Sequence, residues 1–245
     1  MAEVSYRSED GVAVITFSRP QAKNSLNAAA CEQLHEAWRR FAGDDGDRVA
    51  VLAAEGPHFC TGGDVRDMPD NVLVCMPNLA VRCDKPIIAA VSGWVIGAGA
   101  SMAMMSDMVV AASDARFVYP EAKVGAFAGL MGGFPGRMPV KVGMQWTMTG
   151  DPMDAQRAYE VGLVNELCEP GQQLARAREL ARKIAANAPL VTRALKSLAY
   201  STLPKGPVEQ HFVHQLMLQD IRHSADYTEG LAALNEKRKP AFTGR

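Results

Sequence analysis

The feature that most constrains the fold is an uncharged stretch of twenty residues, from Ile87 to Ser106. Twenty apolar residues in one helix are long enough to cross a membrane. Alanine, glycine and serine dominate this stretch, however, leucine is absent from it, and Asp107 ends it. IIAAV is typical of a buried strand, the glycines of a tight turn, and ASMAMM of a buried helix. We therefore predict a strand, a glycine turn and a helix in a protein core, and no membrane partner.

The composition fits a single large α/β domain or slightly more. The 245 residues are 48% hydrophobic and 22% charged, and a chain of this length can fold without disulfides or metal ions. The net charge of −1 argues against nucleic acid as a partner. Five scattered cysteines and five unclustered histidines predict no metal site and a reducing, cytoplasmic location. The polar, acidic N-terminus is not typical of a signal peptide.

Strands and helices alternate in the predicted order of elements, and a helical tail follows. We predict strands over 3–8 and 11–18, and Asn27 is placed to cap a helix over 28–42. AKVGAFAGLMGGFPGRMP is expected to be a glycine-rich loop. Further strands are predicted at VAVLAA, MVVAAS, ARFVYP and GLVNELCE, and further helices over 144–149, 154–161, 171–187, 189–201, 206–221 and 226–236. This order indicates an α/β fold with an appended helical region.

The glycine turn GAG at 97–99 does not fit a nucleotide-binding loop. A dinucleotide fingerprint needs a third glycine where Met102 stands, and the chain has no P-loop and no GxSxG motif. Backbone N–H groups at a helix N-terminus do point at developing negative charge. A second loop, Gly62-Gly63-Asp64, has the same character. Two such loops facing each other would hold one carbonyl oxygen between two N–H groups, which is an oxyanion hole.

Six segments, in order and at family spacing, are similar to the crotonase superfamily, also called the enoyl-CoA hydratase/isomerase family. They are RPQAKNSLN, FCTGGDV, KPIIAAVSGWVIGAGASMAMMSD, ARFVYPEAKVG, TGDPMDAQRAYEVGLVNELCEP and EGLAALNEKRKPAFTGR, and the resemblance runs from residue 4 to 245. It implies a crotonase-like spiral of ββα units over 1–188. A helical C-terminal region over 189–245 would mediate trimerisation and cover the active site.

The resemblance also implies substrates and site residues. The substrates would be acyl-CoA thioesters, as in fatty acid metabolism, with no cofactor beyond the substrate's coenzyme A. The backbone N–H groups of Gly63 and Ala98 would polarise the thioester carbonyl so that an enolate can form. Alanine at 98, where relatives usually have glycine, keeps its N–H. Coenzyme A would be bound around Ala22, Asn24, Gly63, Asp64, Val65, Arg66 and Lys237. The assembly would be a homotrimer or a dimer of trimers.

Relatives that hydrate enoyl thioesters use two glutamates, and this chain has one of them. Glu121 occupies the later position, in FVYPE, and Ser101 stands at the earlier one. A serine can hold a water molecule but is no strong base near neutral pH. Burial would raise the pKa of Glu121 and suit it to reversible proton transfer. We therefore predict Glu121 as the main acid and base, with Ser101 as a second catalytic residue.

The missing glutamate leaves the reaction open. An enoyl-CoA hydratase-like lyase is our preferred interpretation. Some Δ3–Δ2-enoyl-CoA isomerases resemble this arrangement, with only the later acid. Hydroxycinnamoyl-CoA hydratase-lyases resemble it more closely, with serine and glutamate at these positions and a pair like Gly93-Trp94. A non-catalytic acyl-CoA-binding protein is a further alternative. Tyr119 and Trp94 either line an acyl pocket or fill the core, and the acyl group stays open.

Overall fold

The computed structural model describes residues 2–79, 81–125, 134, 136–202 and 221–244. Half of the predicted glycine-rich loop and nearly all of the predicted helix over 206–221 lie outside the described residues. Within the described chain, no helix combines the length and the apolar character needed to span a membrane.

The described strands form two sheets. Their bounds are β1 (Val4–Glu9), β2 (Val12–Phe17), β3 (Val49–Ala54), β4 (Ile87–Val91), β5 (Trp94–Ile96), β6 (Met108–Ala112), β7 (Arg116–Val118), β8 (Met153–Asp154) and β9 (Glu166–Cys168). The larger sheet has the order β1-β2-β3-β4-β6-β9, and the smaller one has the order β5-β7-β8. The hairpin β1–β2 is antiparallel, while β2 through β9 of the larger sheet pair in parallel. Buried parallel strands explain why these segments are nearly continuous apolar runs.

The described helices follow the predicted order. They are α1 (Ala28–Gly43), α2 (Ala98–Met105), α3 (Glu121–Val124), α4 (Val140–Thr149), α5 (Ala155–Glu160), α6 (Gln173–Ala185), α7 (Pro189–Ser201) and α8 (Ala225–Glu236). Asn27 caps α1 as predicted, because its Oδ1 accepts a hydrogen bond from the Ala30 N–H at 2.9 Å.

Helices cover both faces of the larger sheet. On one face, α6 presents an alanine row that packs against apolar side chains of β2, β3, β4 and β6. Small side chains at this spacing let the helix approach the strands closely, and they are Ala177, Ala181 and Ala185. On the other face, Leu34, Trp38 and Phe41 of α1 join the main core with the buried residues of α2. The uncharged central stretch is therefore core, as predicted.

A buried polar network attaches α7 to the strands. Lys196 Nζ lies 2.7 Å from Asp107 Oδ2, and the Tyr200 hydroxyl donates to Asp107 Oδ1 at 2.6 Å. Asp107 also accepts the Ile87 N–H at the start of β4, at 2.8 Å. The network explains why an acid directly follows the uncharged stretch. The division of the chain into regions 1–188 and 189–245 stays a prediction.

Among the short elements, β5 and α3 were not predicted from the pattern. The three residues of β5 lie between Gly93 and Gly97, both at positive φ, and a strand this short shows no measurable alternation. Helix α3 begins at Glu121, directly before the segment predicted as a loop, and continues into it. A single helical turn, ended by Gly125 in the left-handed conformation, likewise shows no amphipathic period.

Candidate active site

Two glycine loops contact each other at the entrance to α2. Cys60 pairs with Val95 of β5 in a parallel bridge, and the Ile96 N–H donates to the Cys60 carbonyl at 2.8 Å. A Cβ added to Gly62 would lie 3.3 Å from the Ile96 carbonyl oxygen and 3.8 Å from the Ala98 nitrogen. Gly62 itself is at φ +89°, which disfavours any side chain there. The loop 60–63 is therefore packed directly against the turn 96–98.

The Gly63 and Ala98 N–H groups are unpaired within the described chain. The bridge between Leu26 and Gly63 uses the Gly62 carbonyl and the Asp64 N–H, which leaves the Gly63 N–H out. Ala98 is the first residue of α2, where a helix has no internal acceptor. Among the described residues neither N–H donates a hydrogen bond, and both residues are half-buried. Two donors on adjacent segments are thus available to one acceptor.

Glu121 lies beside the same turn. It is the first residue of α3, shortly after β7, and a Cβ added to Gly97 would lie 3.3 Å from Glu121 Oε1. The residue is half-buried as a whole, but its Oε2 atom is enclosed and has no hydrogen-bond partner among the described residues. Burial raises the pKa of Glu121 to about 8, and a hydrogen bond from its own backbone N–H opposes this by less. Glu121 is therefore largely protonated at neutral pH.

Ser101 also contacts this turn. Its hydroxyl is buried and donates to the Gly97 carbonyl at 3.1 Å. Gly97 therefore contacts Ser101 through its carbonyl and faces Glu121 through its Cα. The structure brings the two predicted catalytic side chains to one glycine residue.

Tyr119 is a buried polar residue of this region that the sequence predicted only as pocket lining or core. It is 3% exposed, and its hydroxyl has no hydrogen-bond partner within the described part of the chain. Its ring lies 6.3 Å from that of Trp146, centroid to centroid. Burial, and then the charge of Glu121, raise the pKa of the Tyr119 phenol well above its ordinary value. Its place two residues before the glutamate in FVYPE was the available sequence signal.

The predicted coenzyme A loops are tied together by side chains. Arg19 and Asp64 form an ion pair at 3.1 Å, and the buried Asn24 amide donates to the carbonyls of Glu55 and His58. Partial burial would raise the pKa of Asp64, but hydrogen bonds from Arg66, Arg19 and Ser25 outweigh it and lower that pKa. The side chains of Asn24 and Asp64 therefore hold the loops.

The remaining predicted contacts lie at the surface. Ala22 is half-buried near the Arg19–Asp64 ion pair, and Val65 and Arg66 are exposed. Lys237 is exposed at the C-terminal end of α8. No hydrogen bond or ion pair between described residues joins Lys237 to the two loops, so its role stays a prediction. Cys60 lies at the start of the loop 60–63. Burial raises the pKa of its thiol to about 12, which fits a packing residue.

The described residues include no group of three or more histidine, cysteine, aspartate and glutamate side chains placed to hold a metal ion. The site is defined instead by two unpaired backbone donors and one buried carboxyl. Such a site, on a fold of parallel strands with covering helices, is typical of enzymes that stabilise an enolate.

Comparisons with known proteins show which family the chain belongs to. Residues 7–245 match the family described as enoyl-CoA hydratase/isomerase. The (E)-benzylidenesuccinyl-CoA hydratase of Thauera aromatica is 36% identical over 256 residues, covering 98% of this chain and 99% of the relative. The carnitinyl-CoA dehydratase of Escherichia coli K12 is 33% identical, with both chains fully covered.

The crystal structure of a carnitinyl-CoA hydratase from Mycobacterium avium superposes with a TM-score of 0.91, at 30% identity and full coverage of both chains. The chain therefore belongs to the enoyl-CoA hydratase/isomerase family of the crotonase superfamily. It is an enzyme of the enoyl-CoA hydratase type, and the predicted fold class is confirmed.

Proposed function

We propose that the enzyme binds an acyl-CoA thioester with its carbonyl oxygen between the N–H groups of Gly63 and Ala98. An enolate places negative charge on that oxygen, so donors fixed beforehand stabilise the transition state more than the substrate. The observation that carries this proposal is the pair of unpaired donors beside a single buried carboxyl. The backbone supplies this stabilisation, so the reaction needs no cofactor beyond the substrate's own coenzyme A.

We propose hydration of the C2–C3 double bond as the reaction. Protonated Glu121 gives its proton to C2 while the oxygen of a water molecule bonds to C3. The water then gives one proton to the Glu121 carboxylate, which restores the starting state. Ser101 holds the water by a hydrogen bond. The activities for which the two sequence relatives are named, a hydratase and a dehydratase, support addition or removal of water over isomerisation.

Coenzyme A binding belongs to the same proposal. The nucleotide end would lie along Ala22, Asn24 and 63–66, since the Arg19–Asp64 ion pair holds these segments side by side. Lys237 would contact phosphate groups from the helical region. The exposed positions of Val65 and Arg66 leave them available to a ligand, whereas Asn24 acts by shaping the loop.

Two substitutions at position 98 test the oxyanion hole. Ala98→Pro removes the N–H at the first position of a helix, where proline is well tolerated. We expect it to lower kcat/KM by about 100- to 1000-fold on crotonyl-CoA or cinnamoyl-CoA. Ala98→Gly keeps the N–H and is the matched control, with activity near that of the unaltered enzyme. Equal activity of the two variants would refute the proposed role.

The pH profile separates hydration from isomerisation. Hydration as written uses protonated Glu121, so kcat/KM should fall as the pH rises through about 8. Isomerisation begins with removal of a proton from C2 by the carboxylate, so its rate should rise through the same pH. Steady-state rates on crotonyl-CoA and on 3-hexenoyl-CoA between pH 6 and 10 distinguish the two.

Ser101 and the Gly93-Trp94 pair also favour a second candidate, a hydratase-lyase acting on aromatic thioesters. Mass spectrometry after incubation with feruloyl-CoA tests it. Release of an aldehyde would support the lyase, and accumulation of the 3-hydroxy thioester would support simple hydration.

We also propose a homotrimer or a dimer of trimers. Leu190, Leu195 and Leu198 of α7 are 76%, 62% and 62% exposed in the described chain, and subunit contact would remove such an apolar face from water. Light scattering after size-exclusion chromatography measures the mass, and a monomer would contradict the proposal. The cytoplasmic location and the part in fatty acid metabolism stay predictions.

A further inference from the structure

We propose that Tyr119 is a third polar group of the active site, whose hydroxyl binds the oxygen atom that is added to C3 of the thioester. The inference rests on the proposed hydration. It assigns to Tyr119 part of the work that the absent first glutamate does in relatives with two acids.

The backbone places Tyr119 at the glycine turn. β7 pairs in parallel with β5, with Val118 opposite Ile96, and the Gly97 N–H donates to the Val118 carbonyl at 2.9 Å. Tyr119 is the next residue along the chain, and two residues later Glu121 faces Gly97. Tyr119 and Glu121 therefore leave the end of one short strand beside the turn that presents the Ala98 N–H.

The Tyr119 hydroxyl and Glu121 Oε2 are both enclosed, and neither has a hydrogen-bond partner among the residues that the structure describes. Buried polar atoms in native proteins nearly always have partners, and exceptions have a reason. A tyrosine that only filled space next to Trp146 would be replaced by phenylalanine at no cost. Tyr119 and Glu121 flank Pro120 in the chain, and their two unpaired atoms point to a ligand that supplies a donor and an acceptor together. A water molecule, or the hydroxyl at C3 of the hydrated product, has both.

In the proposed step the Tyr119 O–H donates to the oxygen of the attacking water. The oxygen of that water forms a bond to C3. The electron pair of the C2–C3 double bond then forms the new bond between C2 and the proton of Glu121. The proton that the water loses returns to the Glu121 carboxylate. Tyr119 keeps its own proton throughout. It thus holds the oxygen in place and does not act as an acid or base.

Binding measurements on pairs of thioesters test the assignment. Calorimetric titration compares 3-hydroxybutyryl-CoA with butyryl-CoA, and 3-hydroxy-3-phenylpropionyl-CoA with 3-phenylpropionyl-CoA. The unaltered enzyme should bind the 3-hydroxy member of at least one pair about tenfold more tightly. Tyr119→Phe should remove that preference and lower kcat/KM for hydration about tenfold, while its affinity for the saturated member is unchanged.

Tyr159→Phe, at an exposed position of α5, is the matched control and should keep the preference. Tyr119→Phe should unfold at the same or a higher temperature, because it removes an unpaired buried hydroxyl. An unchanged preference in Tyr119→Phe, or no preference in the unaltered enzyme that binds the thioesters, overturns the assignment and leaves the proposed function standing. Failure of the unaltered enzyme to bind or convert any of these thioesters overturns both.

Discussion

Replacing Glu121 by glutamine should abolish activity and at the same time stabilise the folded protein at alkaline pH. The carboxyl has an ordinary pKa of 4.5, and burial raises it to about 8 in the fold. The stability that the neutral Glu121 carboxyl contributes is therefore fully present below pH 4.5. It is lost as the pH rises from 4.5 towards 8, and the stability changes no further from this cause above pH 8. This difference in pKa corresponds to about 5 kcal/mol in total, of which about 4 kcal/mol falls between pH 5 and pH 9.

Glutamine has the same shape and no titration, so the Glu121→Gln protein lacks this loss. The stability of the variant minus that of the unaltered protein should increase by up to about 4 kcal/mol from pH 5 to pH 9. Any constant cost of the amide cancels in this comparison. Water drawn towards the ionised carboxylate would reduce the increase, so the value is an upper limit.

Urea unfolding followed by the fluorescence of the buried Trp38 and Trp146 measures the free energies at each pH. Both proteins are compared at one protein concentration, because subunit association shifts apparent stability. Glu160→Gln, at an exposed position, controls for the loss of one negative charge, and its change in stability between pH 5 and pH 9 is subtracted from that of Glu121→Gln. Parallel curves for Glu121→Gln and the unaltered protein would refute the argument that Glu121 is buried in its neutral form.

Two further substitutions probe how the site is held. Gly230→Ala would place a Cβ 1.6 Å from the Val124 carbonyl oxygen, so α8 must move away from α3; we expect a loss of about 1–3 kcal/mol in stability and a lower kcat. Gly43→Ala, with no atom within 4 Å of the added Cβ, is its control, and equal effects of the two would contradict this. Lys196→Met leaves the Asp107 carboxylate without its cation and should lower the free energy of unfolding by about 3–5 kcal/mol. Urea unfolding measures this change, and an unchanged free energy would show that α7 is held by other contacts.

The elements that the sequence predicted well are those with a local cause. Apolar runs became β3, β4 and β6, and the Asn27 cap fixed the start of α1. The helix predicted over 171–187 is present as α6 (Gln173–Ala185). Each of these depends on neighbours within a turn or two along the chain, which periodicity and capping describe directly.

The site depends instead on pairings between distant segments. A Cβ added to Gly62 would lie 3.3 Å from the Ile96 carbonyl oxygen, but nothing local in CTGGD indicates this contact. The similar character of the two glycine loops allowed an oxyanion hole, and the family resemblance named Gly63 and Ala98 as its donors. The raised pKa of Glu121 was anticipated from an expected apolar pocket. The sequence did not indicate that the Tyr119 hydroxyl lacks a partner among the described residues, because this is a property of the packed fold.

The contacts of Gly97 explain why the site keeps its arrangement although the first glutamate is absent. Its N–H is bonded to Val118, its carbonyl accepts the Ser101 hydroxyl, and a Cβ on it would lie 3.3 Å from Glu121 Oε1. Its φ of 55° is one that side chains disfavour, so the turn keeps the carboxyl close to the Ala98 N–H. A serine in place of the glutamate removes one charge from this arrangement. Like charges at close range would raise both carboxyl pKa values further. With one carboxyl, burial and the weaker opposing backbone hydrogen bond set the pKa at which a proton can be given and taken back.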